Sequence, residues 1–377
     1  MARQFPAVLV AGARQTGKTS LLRHLFPRAS YLSLDLPANA EAAQTAAEQL
    51  LDRHPPPVII DEIQYAPALL RHLKVRIDRD RKRAGRYLLT GSQVFALMQG
   101  VSESLAGRCA LLNLLTLSRA EVSTAGSPIG ENEHIFLGGY PELHVGAEHD
   151  LWFPAYVATY LERDVRNVLR VVDLQEFNRF LRACALRTSQ MLNYSDLARD
   201  TGVAPNTARK WLGVLQSSLI VAPIEPYWGN RTKRLIKAPK LHFLDTGLAA
   251  FVSGFRTARD LTASPYSGLF WESHVFGQVL RQSTARGENI VPMYWRTASG
   301  HEVDLVIERG GGEVIAIECK YKERPELSDA AGLRALEQAE KGRVREKMIV
   351  CRTPARYRLA DGTWVVNVAD MLARLAS

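Results

Sequence analysis

Residues 12–20 read GARQTGKTS and match the pattern G-x-x-x-x-G-K-[ST] in full. The glycines of such a loop let the backbone curl around a phosphate group, so that successive N–H groups point inward. The loop follows the apolar run AVLVAG, residues 7–12, and opens the helical pattern KTSLLRHLF, residues 18–26. A strand, the loop and a helix in this order are the context that distinguishes a phosphate-binding loop from a chance match. The stretch therefore predicts a nucleotide-binding α/β domain.

The residue types within this phosphate loop assign roles to its members. Lys18 is expected to reach the β- and γ-phosphates of a nucleotide, and the Thr19 hydroxyl is expected to bind Mg²⁺. We therefore expect a nucleotide and Mg²⁺ as ligands. The expected nucleotide contacts are Gly12, Ala13, Arg14, Gln15, Thr16, Gly17, Lys18, Thr19, Ser20 and, from a later strand, Ser92.

A second motif, PPVIIDEIQ at residues 56–64, places two acids at the end of a buried-strand pattern. An acid at the carboxyl end of a parallel strand faces the crevice in which ligands bind. Asp61 is expected to hold the Mg²⁺ shell, and Glu62 is expected to polarise the attacking water as a general base. The alternative is a strand followed by a solvated acidic cap. The phosphate loop upstream favours the first interpretation.

Two further segments contain candidate groups. The strand pattern LLTGSQ, residues 88–93, ends in Thr90, Ser92 and Gln93. These side chains could hydrogen-bond the water or the γ-phosphate, or they could cap a helix, and both alternatives stay open. In SLAGRCALL, residues 104–112, Arg108 comes just before another strand. Arg108 is a candidate cation for the transferring phosphate, acting in cis or in trans, or it is a surface arginine.

Short apolar runs and helical patterns alternate from Phe5 to Ser118. This alternation predicts a parallel sheet covered by helices on both faces, and with the phosphate loop it predicts an α/β fold of the P-loop NTPase kind. Residues 119–192 are mostly compatible with helix, apart from a Gly-Gly-Tyr-Pro break at residues 138–141. A chain of 377 residues is too long for a single core, so several domains are expected.

Composition limits the classes of protein and partner. The hydrophobic share of 46% allows sizeable cores, and the net charge of +9 with a pI near 9.4 favours a polyanionic partner. The four cysteines make no CxxC spacing, so neither a zinc site nor a disulfide framework is indicated. No stretch reaches the ~18 apolar residues of a membrane span, and no signal peptide is recognised. We therefore expect a cytoplasmic protein with no membrane partner.

These motifs carry a family resemblance. The segments GARQTGKT, VIIDEIQ, TGSQ and SLAGR resemble those of prokaryotic AAA-type ATPases that carry an uncharacterised C-terminal domain. The later segments GGYPE, YLERDV, KAPKLHFLDTGLA, GLFWESHV, YWRTASGHEVDLVI and IECK are similar to that C-terminal domain and occur in order. The resemblance covers nearly the whole chain and implies an ATPase of the AAA type.

The stretch NYSDLARDTGVAPNTARKWLGVLQSSLIV, residues 193–221, is typical of the two helices of a winged-helix module. Ser195 is expected to cap the first helix, Gly202 to form the turn, and Pro205 to occupy the first turn of the second helix. The expected apolar face of that second helix consists of Ala208, Trp211, Leu212 and Leu215. Arg209 and Lys210 would then lie on the opposite face.

Basic residues cluster on and after this second helix. Between residues 205 and 240, seven basic residues meet one acid, Glu225. Such a cluster is expected where a protein contacts DNA phosphates, and the alternatives are a solvated face or a lid packed on the nucleotide domain. A second basic run at residues 71–86 shows that positive charge is not confined to this module. The expected DNA contacts are Arg209, Lys210, Arg231, Lys233, Arg234 and Lys237, and Lys240 is assigned to the same basic stretch.

Residues 301–320, HEVDLVIERGGGEVIAIECK, read as two apolar strands joined by glycines. If Gly311 is the middle of the turn, Asp304 lies opposite Glu318 across the hairpin. Their Cβ atoms would then be roughly 5 Å apart, where like charges repel. Lys320 shares a face with Glu318 because side chains two apart on a strand point the same way. The alternative is an exposed edge hairpin with an ordinary Glu–Lys surface pair.

An Asp followed by Glu-x-Lys on the next strand resembles the PD-(D/E)xK nuclease fold. The resemblance implies that Asp304 and Glu318 coordinate Mg²⁺ together with the Cys319 carbonyl, and that Lys320 activates water or stabilises the pentavalent phosphate. Glu272, in LFWESHVFGQVL at residues 269–280, matches the additional acid on the first helix of such nucleases. Many members of this fold keep its shape without cleaving, so a cleaving and a non-cleaving domain both stay open.

Together these motifs predict four parts of the chain. They are a P-loop ATPase core at residues 1–118, a helical lid or linker at 119–192, a winged-helix-like module at 193–245 and a nuclease-like α/β domain at 246–377. The first functional hypothesis is an ATPase that acts on or binds DNA. The alternative is a nucleotide-dependent switch that binds partners or DNA and has an inactive nuclease-like domain. ATP and DNA are the expected partners, and self-association is left open.

Overall fold

The chain forms two compact units. The computed structural model describes residues 1–92, 104–126, 128–161, 174–227 and 238–376, with the side chains of 160 and 161 left out. The first unit consists of Met1–Thr116 with Ser217–Leu219, and the second consists of Leu117–Gln216 with Ile220–Ser377. The division of the chain into four parts stays a prediction. In the described part of the chain, no helix is both long enough and apolar enough to cross a membrane.

The first unit contains a parallel sheet. Its strands are β1 (Ala7–Ala11), β2 (Ser30–Ser33), β3 (Val58–Asp61), β4 (Tyr87–Gly91) and β5 (Cys109–Asn113). They lie in the order β2-β3-β4-β1-β5, and each neighbouring pair is parallel. Each strand coincides with one of the apolar runs of the sequence, so the predicted parallel sheet is confirmed. The carboxyl ends of all these strands therefore lie at one edge of the sheet.

Helices cover both faces of this sheet. They are α1 (Lys18–Leu25), α2 (Pro37–Thr45), α3 (Ala47–Arg53) and α4 (Leu69–Arg79), with a 3₁₀ turn at Ile63–Tyr65. Leu9 of β1 packs in one buried cluster with residues of α3 and α4, whereas Val8 and Val10 pack in another with Leu22 of α1. Because alternate side chains of one strand enter different clusters, the sheet is buried on both faces, as parallel sheets are.

The second unit is larger and mixes helices with two sheets. Its helices are α5 (Arg119–Thr124), α6 (Glu131–Leu137), α7 (His149–Tyr156), α8 (Leu174–Ala185), α9 (Tyr194–Thr201), α10 (Pro205–Ser217), α11 (Thr246–Ser253), α12 (Ala258–Ala263), α13 (Ser267–Arg286), α14 (Ala331–Ala339) and α15 (Val368–Leu375). Short 3₁₀ segments lie at Pro141–His144, Gly310–Gly312 and Leu327–Ala330, and a π-helical turn lies at Val157–Leu161.

The predicted pair of helices is present as α9 and α10. Gly202 follows α9 with φ 76°, a left-handed conformation that glycine adopts without strain, and Pro205 begins α10. The predicted cap Ser195 is wrong, because the Asn193 side chain accepts from the N–H groups of Ser195 and Asp196. Asn193 caps the helix since its oxygen reaches these two N–H groups while its own backbone is extended.

Two sheets follow in the second unit. In the first, β6 (Gln190–Met191), β8 (Lys240–Phe243) and β7 (Val221–Ile224) lie in that order and pair antiparallel. The strands of the other sheet are β9 (Met293–Arg296), β10 (Glu302–Glu308), β11 (Val314–Cys319), β12 (Val344–Val350), β13 (Tyr357–Arg358) and β14 (Trp364–Val366). Their order is β13-β14-β12-β11-β10-β9.

Strands β10 and β11 form the predicted hairpin. Leu305 lies opposite Ile317, so the register is centred on Gly311 as expected. Gly311 has φ 78°, which explains why the turn contains glycine. The paired residues end at Leu305 and Ile317, which are the chain neighbours of Asp304 and Glu318. Both side chains are buried, with 7% of each residue exposed, so an exposed edge hairpin is excluded.

Helix α14 packs closely on the hairpin. Leu333 and Leu336 of this helix enter the buried cluster that contains Val303 of β10 and Ala316 of β11. A Cβ atom added at Gly332 would collide with the backbone carbonyl oxygen of Glu302. Glycine at this position therefore lets the helix approach the strand that carries Glu302 and Asp304.

We expect Gly332→Ala to destabilise the protein by about 1–3 kcal/mol, because backbone rather than a movable side chain lies in the way of the methyl group. Gly268→Ala in α13 is the matched control, since a Cβ atom there has no neighbour within 4 Å. The control should change stability by no more than about 1 kcal/mol. Thermal and denaturant unfolding of both variants check this, and equal stabilities would contradict the close approach.

Candidate functional site

The phosphate loop connects β1 to α1 in a conformation that its glycines permit. A Cβ atom at Gly12 would collide with the Leu114 carbonyl oxygen. Gly17 has φ 86° and immediately precedes α1, and Gln15 has φ 60°, which is unusual for a residue with a side chain. Strained backbone of this kind occurs at ligand-binding loops. Gly12, Gln15 and Gly17, all members of the sequence motif, therefore determine the backbone conformation of the loop.

The remaining loop residues differ in exposure. Ala13 and Thr16 are buried, and the Thr16 hydroxyl donates to the Ala13 carbonyl oxygen at 3.0 Å. Arg14 is half-buried and its Nη2 lies 3.5 Å from the Tyr65 hydroxyl. Ser20 is exposed on α1. These contacts leave the assignment of each residue to the nucleotide as a prediction.

Lys18 folds back on the loop. Its Nζ atom donates to the carbonyl oxygens of Gly12, at 3.2 Å, and Ala13, at 2.8 Å. The residue is 5% exposed, so the ammonium lies within the curl of the loop rather than in solvent. A charge held there is suited to an anionic phosphate group that enters the same loop.

Asp61 is the centre of a hydrogen-bond network at the carboxyl edge of the sheet. Its Oδ1 accepts from the Thr19 hydroxyl at 2.6 Å and from the Thr90 hydroxyl at 2.5 Å. Its Oδ2 accepts from the Tyr31 hydroxyl at 2.8 Å. Burial, together with the hydrogen bond to Asp61, raises the pKa of Tyr31 to about 12. Residues of α1, β2, β3 and β4 thus converge on one carboxylate.

Glu62 has backbone and side-chain restraints of its own. Its φ is 56°, a left-handed conformation, and its N–H donates to the Thr90 hydroxyl at 3.0 Å. The Ser92 hydroxyl donates to Glu62 Oε2 at 3.1 Å, and the Gln64 amide donates to the same oxygen. Ser92 therefore orients the candidate base in this structure. Gln93, the next polar residue of the sequence motif, lies outside the described residues.

Arg108 lies at the amino-terminal end of the parallel strands, opposite to the end that carries Asp61. It immediately precedes β5, and its carbonyl oxygen accepts from the N–H of Ala7 at the start of β1. The loop follows the opposite end of β1, so the length of a five-residue strand, roughly 15 Å, separates them. The guanidinium is bound to the Asp78 carboxylate at 2.7 Å and 2.9 Å. A role in cis is therefore wrong for this geometry, and a role in trans stays a prediction.

The described residues of the basic stretch have different surroundings. Arg209 and Lys210 are exposed on α10, whereas Ala208, Trp211 and Leu212 on that helix are buried. The predicted apolar face and the opposite basic face are thus confirmed as features of the helix. Four of the predicted DNA contacts lie outside the described residues, namely Arg231, Lys233, Arg234 and Lys237.

Lys240 does not belong to a basic surface, so its assignment there is wrong. The residue begins β8 and is 3% exposed. Its Nζ atom lies 2.8 Å from Glu272 Oε1 and 3.3 Å from Asp304 Oδ1, and it is also paired with Glu302. Lys240 is therefore buried in the interior of the second unit, where it pairs with carboxylates from a helix and a strand.

Four acids and two lysines form what we call the acidic cluster. They are Glu272, Glu302, Asp304, Glu318, Lys240 and Lys320. Lys320 Nζ is 2.7 Å from Glu318 Oε1, which confirms that the two residues share a face. The Cys319 N–H donates to Asp304 Oδ2 at 2.8 Å. The Trp271 indole donates to the Val350 carbonyl oxygen at 3.1 Å and so fixes α13, with Glu272, against β12. The residues of the nuclease-like motif are therefore brought together.

Burial and mutual repulsion change the acidity of these groups. Burial, with the nearby Asp304, raises the pKa of Glu272 well above its ordinary value and that of Glu318 to about 8. Burial by itself disfavours the Lys240 ammonium, but Glu272, Asp304 and Glu302 raise the pKa of Lys240 well above its ordinary value. Lys240 is therefore charged at neutral pH.

Sequence reasoning missed several members of these sites. Tyr31 and Gln64 join the Asp61 and Glu62 networks, and no sequence signal marked Tyr31. Glu302 lies two residues before Asp304, so the strand period of two could have indicated it. For Lys240, the one signal was a lysine at the start of the short apolar strand KLHF. Lysine is rarely buried unless paired, which is why sequence reasoning favoured the basic stretch.

Three family models match the chain. An AAA domain matches residues 4–123, which include the phosphate loop, Asp61 and Glu62. Two domains of unknown function, DUF8612 and DUF4143, match residues 131–259 and 267–371. The AAA match and the parallel sheet with its helices identify the first unit as a P-loop NTPase fold.

Several solved structures, RuvB and Cdc6p among them, have partial likeness to the chain. The Holliday junction branch migration motor RuvB of Thermotoga maritima is 16% identical, with 58% of this chain and 81% of that chain covered and a TM-score of 0.29. Cdc6p of Pyrobaculum aerophilum is 14% identical, with 69% and 88% covered and a TM-score of 0.28.

Two mycobacterial proteins are similar over most of the chain. They are Uncharacterized protein Mb2031c of Mycobacterium bovis and Uncharacterized protein Rv2008c of Mycobacterium tuberculosis. Each is 32% identical over 328 residues, which are 86% of this chain and 72% of the relative. The chain therefore belongs to the family of Mb2031c and Rv2008c.

Proposed function

We propose that the chain is an AAA-type ATPase that binds ATP with Mg²⁺ at the phosphate loop and hydrolyses it. The observation that carries this proposal is the hydrogen bond of 2.6 Å between Thr19 and Asp61. It joins the last part of the phosphate loop to the end of β3, two motifs that are 42 residues apart. P-loop NTPases bind Mg²⁺ through a hydroxyl and a carboxylate that lie side by side next to the phosphate loop.

The residues at this edge fit a magnesium ion. Mg²⁺ prefers oxygen ligands, and Thr19 and Asp61 supply a hydroxyl and a carboxylate. Bound Mg²⁺ would neutralise charge on the phosphate oxygens. Lys18 would hold the β- and γ-phosphates from within the loop, and Glu62, oriented by Ser92, would accept the proton of the attacking water.

We further propose that the protein binds DNA through α9, α10 and the strands that follow, a winged-helix arrangement. Support comes from the net charge of +9 and from Arg209 and Lys210, which are exposed opposite the buried face of α10. Charge of this kind attracts phosphate backbones without selecting a sequence. The proposed consequence is an ATPase that acts on or with DNA.

The nuclease-like domain has a second interpretation. A nucleotide-dependent switch with a domain that does not cleave is favoured by one observation, the Lys240 ammonium among the carboxylates of the acidic cluster. A plasmid nicking assay with Mg²⁺ and with Asp304→Ala as the control separates the two interpretations. Nicking by the wild type that is absent from the variant would support cleavage.

The Lys18→Ala variant should lose ATP hydrolysis by at least roughly 10²-fold, because the loop loses the charge that holds the β- and γ-phosphates. Steady-state phosphate release measures this. Lys82→Ala, at an exposed lysine of the same unit, should keep the wild-type rate. Hydrolysis that persists in Lys18→Ala would refute the ATPase proposal.

The Glu62→Gln variant should bind ATP as the wild type does and turn it over roughly 10² times more slowly, because an amide cannot accept the proton of water. Nucleotide binding by fluorescence and single-turnover hydrolysis separate the two effects. Glu41→Gln, an exposed acid on α2, is the control and should change neither. If Glu62→Gln abolishes binding instead, Glu62 has a structural role.

Reversing the charges of Arg209 and Lys210 to Glu should flatten the salt dependence of duplex binding. The slope of log affinity against log salt should fall by about 0.9 for each DNA phosphate that the variant no longer neutralises. The matched control reverses Arg256 and Arg259, two exposed arginines elsewhere in the second unit, and keeps the same net charge. Equal slopes in the two double variants would assign Arg209 and Lys210 to a solvated face.

A further inference from the structure

The Lys240 side chain fills the middle of the acidic cluster. An ammonium group has three N–H donors, and Nζ of Lys240 has three carboxylate neighbours. Two of them, Glu272 and Asp304, lie 2.8 Å and 3.3 Å away, and the third is Glu302. The donors of the lysine and the acceptors around it therefore match in number.

Most remaining oxygens of the nuclease-like motif also have partners. Asp304 Oδ2 accepts from the Cys319 N–H, and Glu318 Oε1 accepts from Lys320. Glu318 Oε2 is buried and has no hydrogen-bond partner among the described residues. The Asp304 oxygens that a metal would need are thus engaged with protein donors.

A divalent metal does not fit the acidic cluster in this arrangement. Among the described residues, no group of three or more His, Cys, Asp or Glu side chains is placed to hold a metal ion. The expectation that Asp304, Glu318 and Glu272 hold Mg²⁺ is therefore not met by this geometry. The donor chemistry is nevertheless that of a Mg²⁺ or Mn²⁺ site, because carboxylates dominate it.

We propose that Lys240 is the resident cation of the acidic cluster and that its ammonium excludes divalent metal from it. The lysine belongs to β8, whereas the carboxylates belong to α13 and β10, so the cation is supplied from outside the nuclease-like motif. The cluster is a latent metal site that opens when this ammonium is removed. The inference concerns the second unit alone and does not depend on ATP hydrolysis.

Mn²⁺ binding to the full chain without nucleotide tests the proposal, with bound ion counted by electron paramagnetic resonance. The wild type and Asp304→Asn should bind the same number of Mn²⁺ ions, because the acidic cluster of the wild type holds none. Lys240→Ala should gain one Mn²⁺ site, and Lys240→Ala with Asp304→Asn should lose it again. In chelator, Lys240→Ala should melt at a lower temperature than the wild type, and Mn²⁺ should restore part of the loss.

Lys347→Ala is the matched control. Lys347 has 9% of its side chain exposed and is paired with Glu337, so it is a similarly buried lysine of the same unit outside the acidic cluster. This variant should gain no Mn²⁺ site. A gain equal to that of Lys240→Ala would show that loss of any buried lysine creates adventitious binding, and it would overturn the proposal.

Two other results would also overturn it. One is a folded Lys240→Ala or Lys240→Met protein, judged by circular dichroism, that gains no Mn²⁺ site. The other needs only the wild type and Asp304→Asn, so it holds even if the Lys240 variants do not fold. If millimolar Mn²⁺ raises the melting temperature of the wild type and not that of Asp304→Asn, the cluster already binds metal beside Lys240.

Discussion

The second unit is organised around a buried ion cluster in which one ammonium meets carboxylates from different elements. Lys240 comes from β8, Glu272 from α13 and Asp304 from β10, and each is almost fully buried. Removing one partner from such a cluster leaves an uncompensated charge and typically costs about 3–5 kcal/mol. The positions of a strand, a helix and a hairpin are therefore coupled through one side chain. Gly332 supports this arrangement by letting α14 approach the backbone of β10.

In the first unit the direction of the strands decides which side chains can act together. Strands β1, β3 and β4 are parallel, so their carboxyl ends bring Thr19, Asp61 and Thr90 within hydrogen-bond distance. The same rule excludes Arg108 from the nucleotide site of its own chain, because Arg108 precedes β5 whereas Asp61 and Thr90 lie at the carboxyl ends of β3 and β4. A single geometric constraint thus explains both the composition of the candidate nucleotide site and the exclusion of Arg108 from it.

Sequence patterns were sufficient where a feature depends on neighbouring residues. The phosphate loop, the strands that end in Asp61 and Thr90, and the hairpin centred on Gly311 all follow from local spacing and turn chemistry. Lys240 could not be placed in this way, because its partners Glu272 and Asp304 are 32 and 64 residues away. The basic residues around Lys240 in the sequence indicated an exposed position, whereas its pairing with distant carboxylates buries it. Asn193 replaced Ser195 as the helix cap for a more local reason, since both residue types cap helices well.

The burial of Lys240 with Glu272 and Asp304, beside the half-buried Glu302, has an evolutionary consequence. A lineage that replaces the lysine by a neutral residue leaves several carboxylates without a counter-ion, and a lineage that neutralises the acids leaves a buried ammonium. Single substitutions at these positions are therefore disfavoured, and paired substitutions are the accessible route. Across homologues the four positions should co-vary as a set, and a member that lost the lysine while keeping the acids would have acquired the constellation of a metal-dependent enzyme.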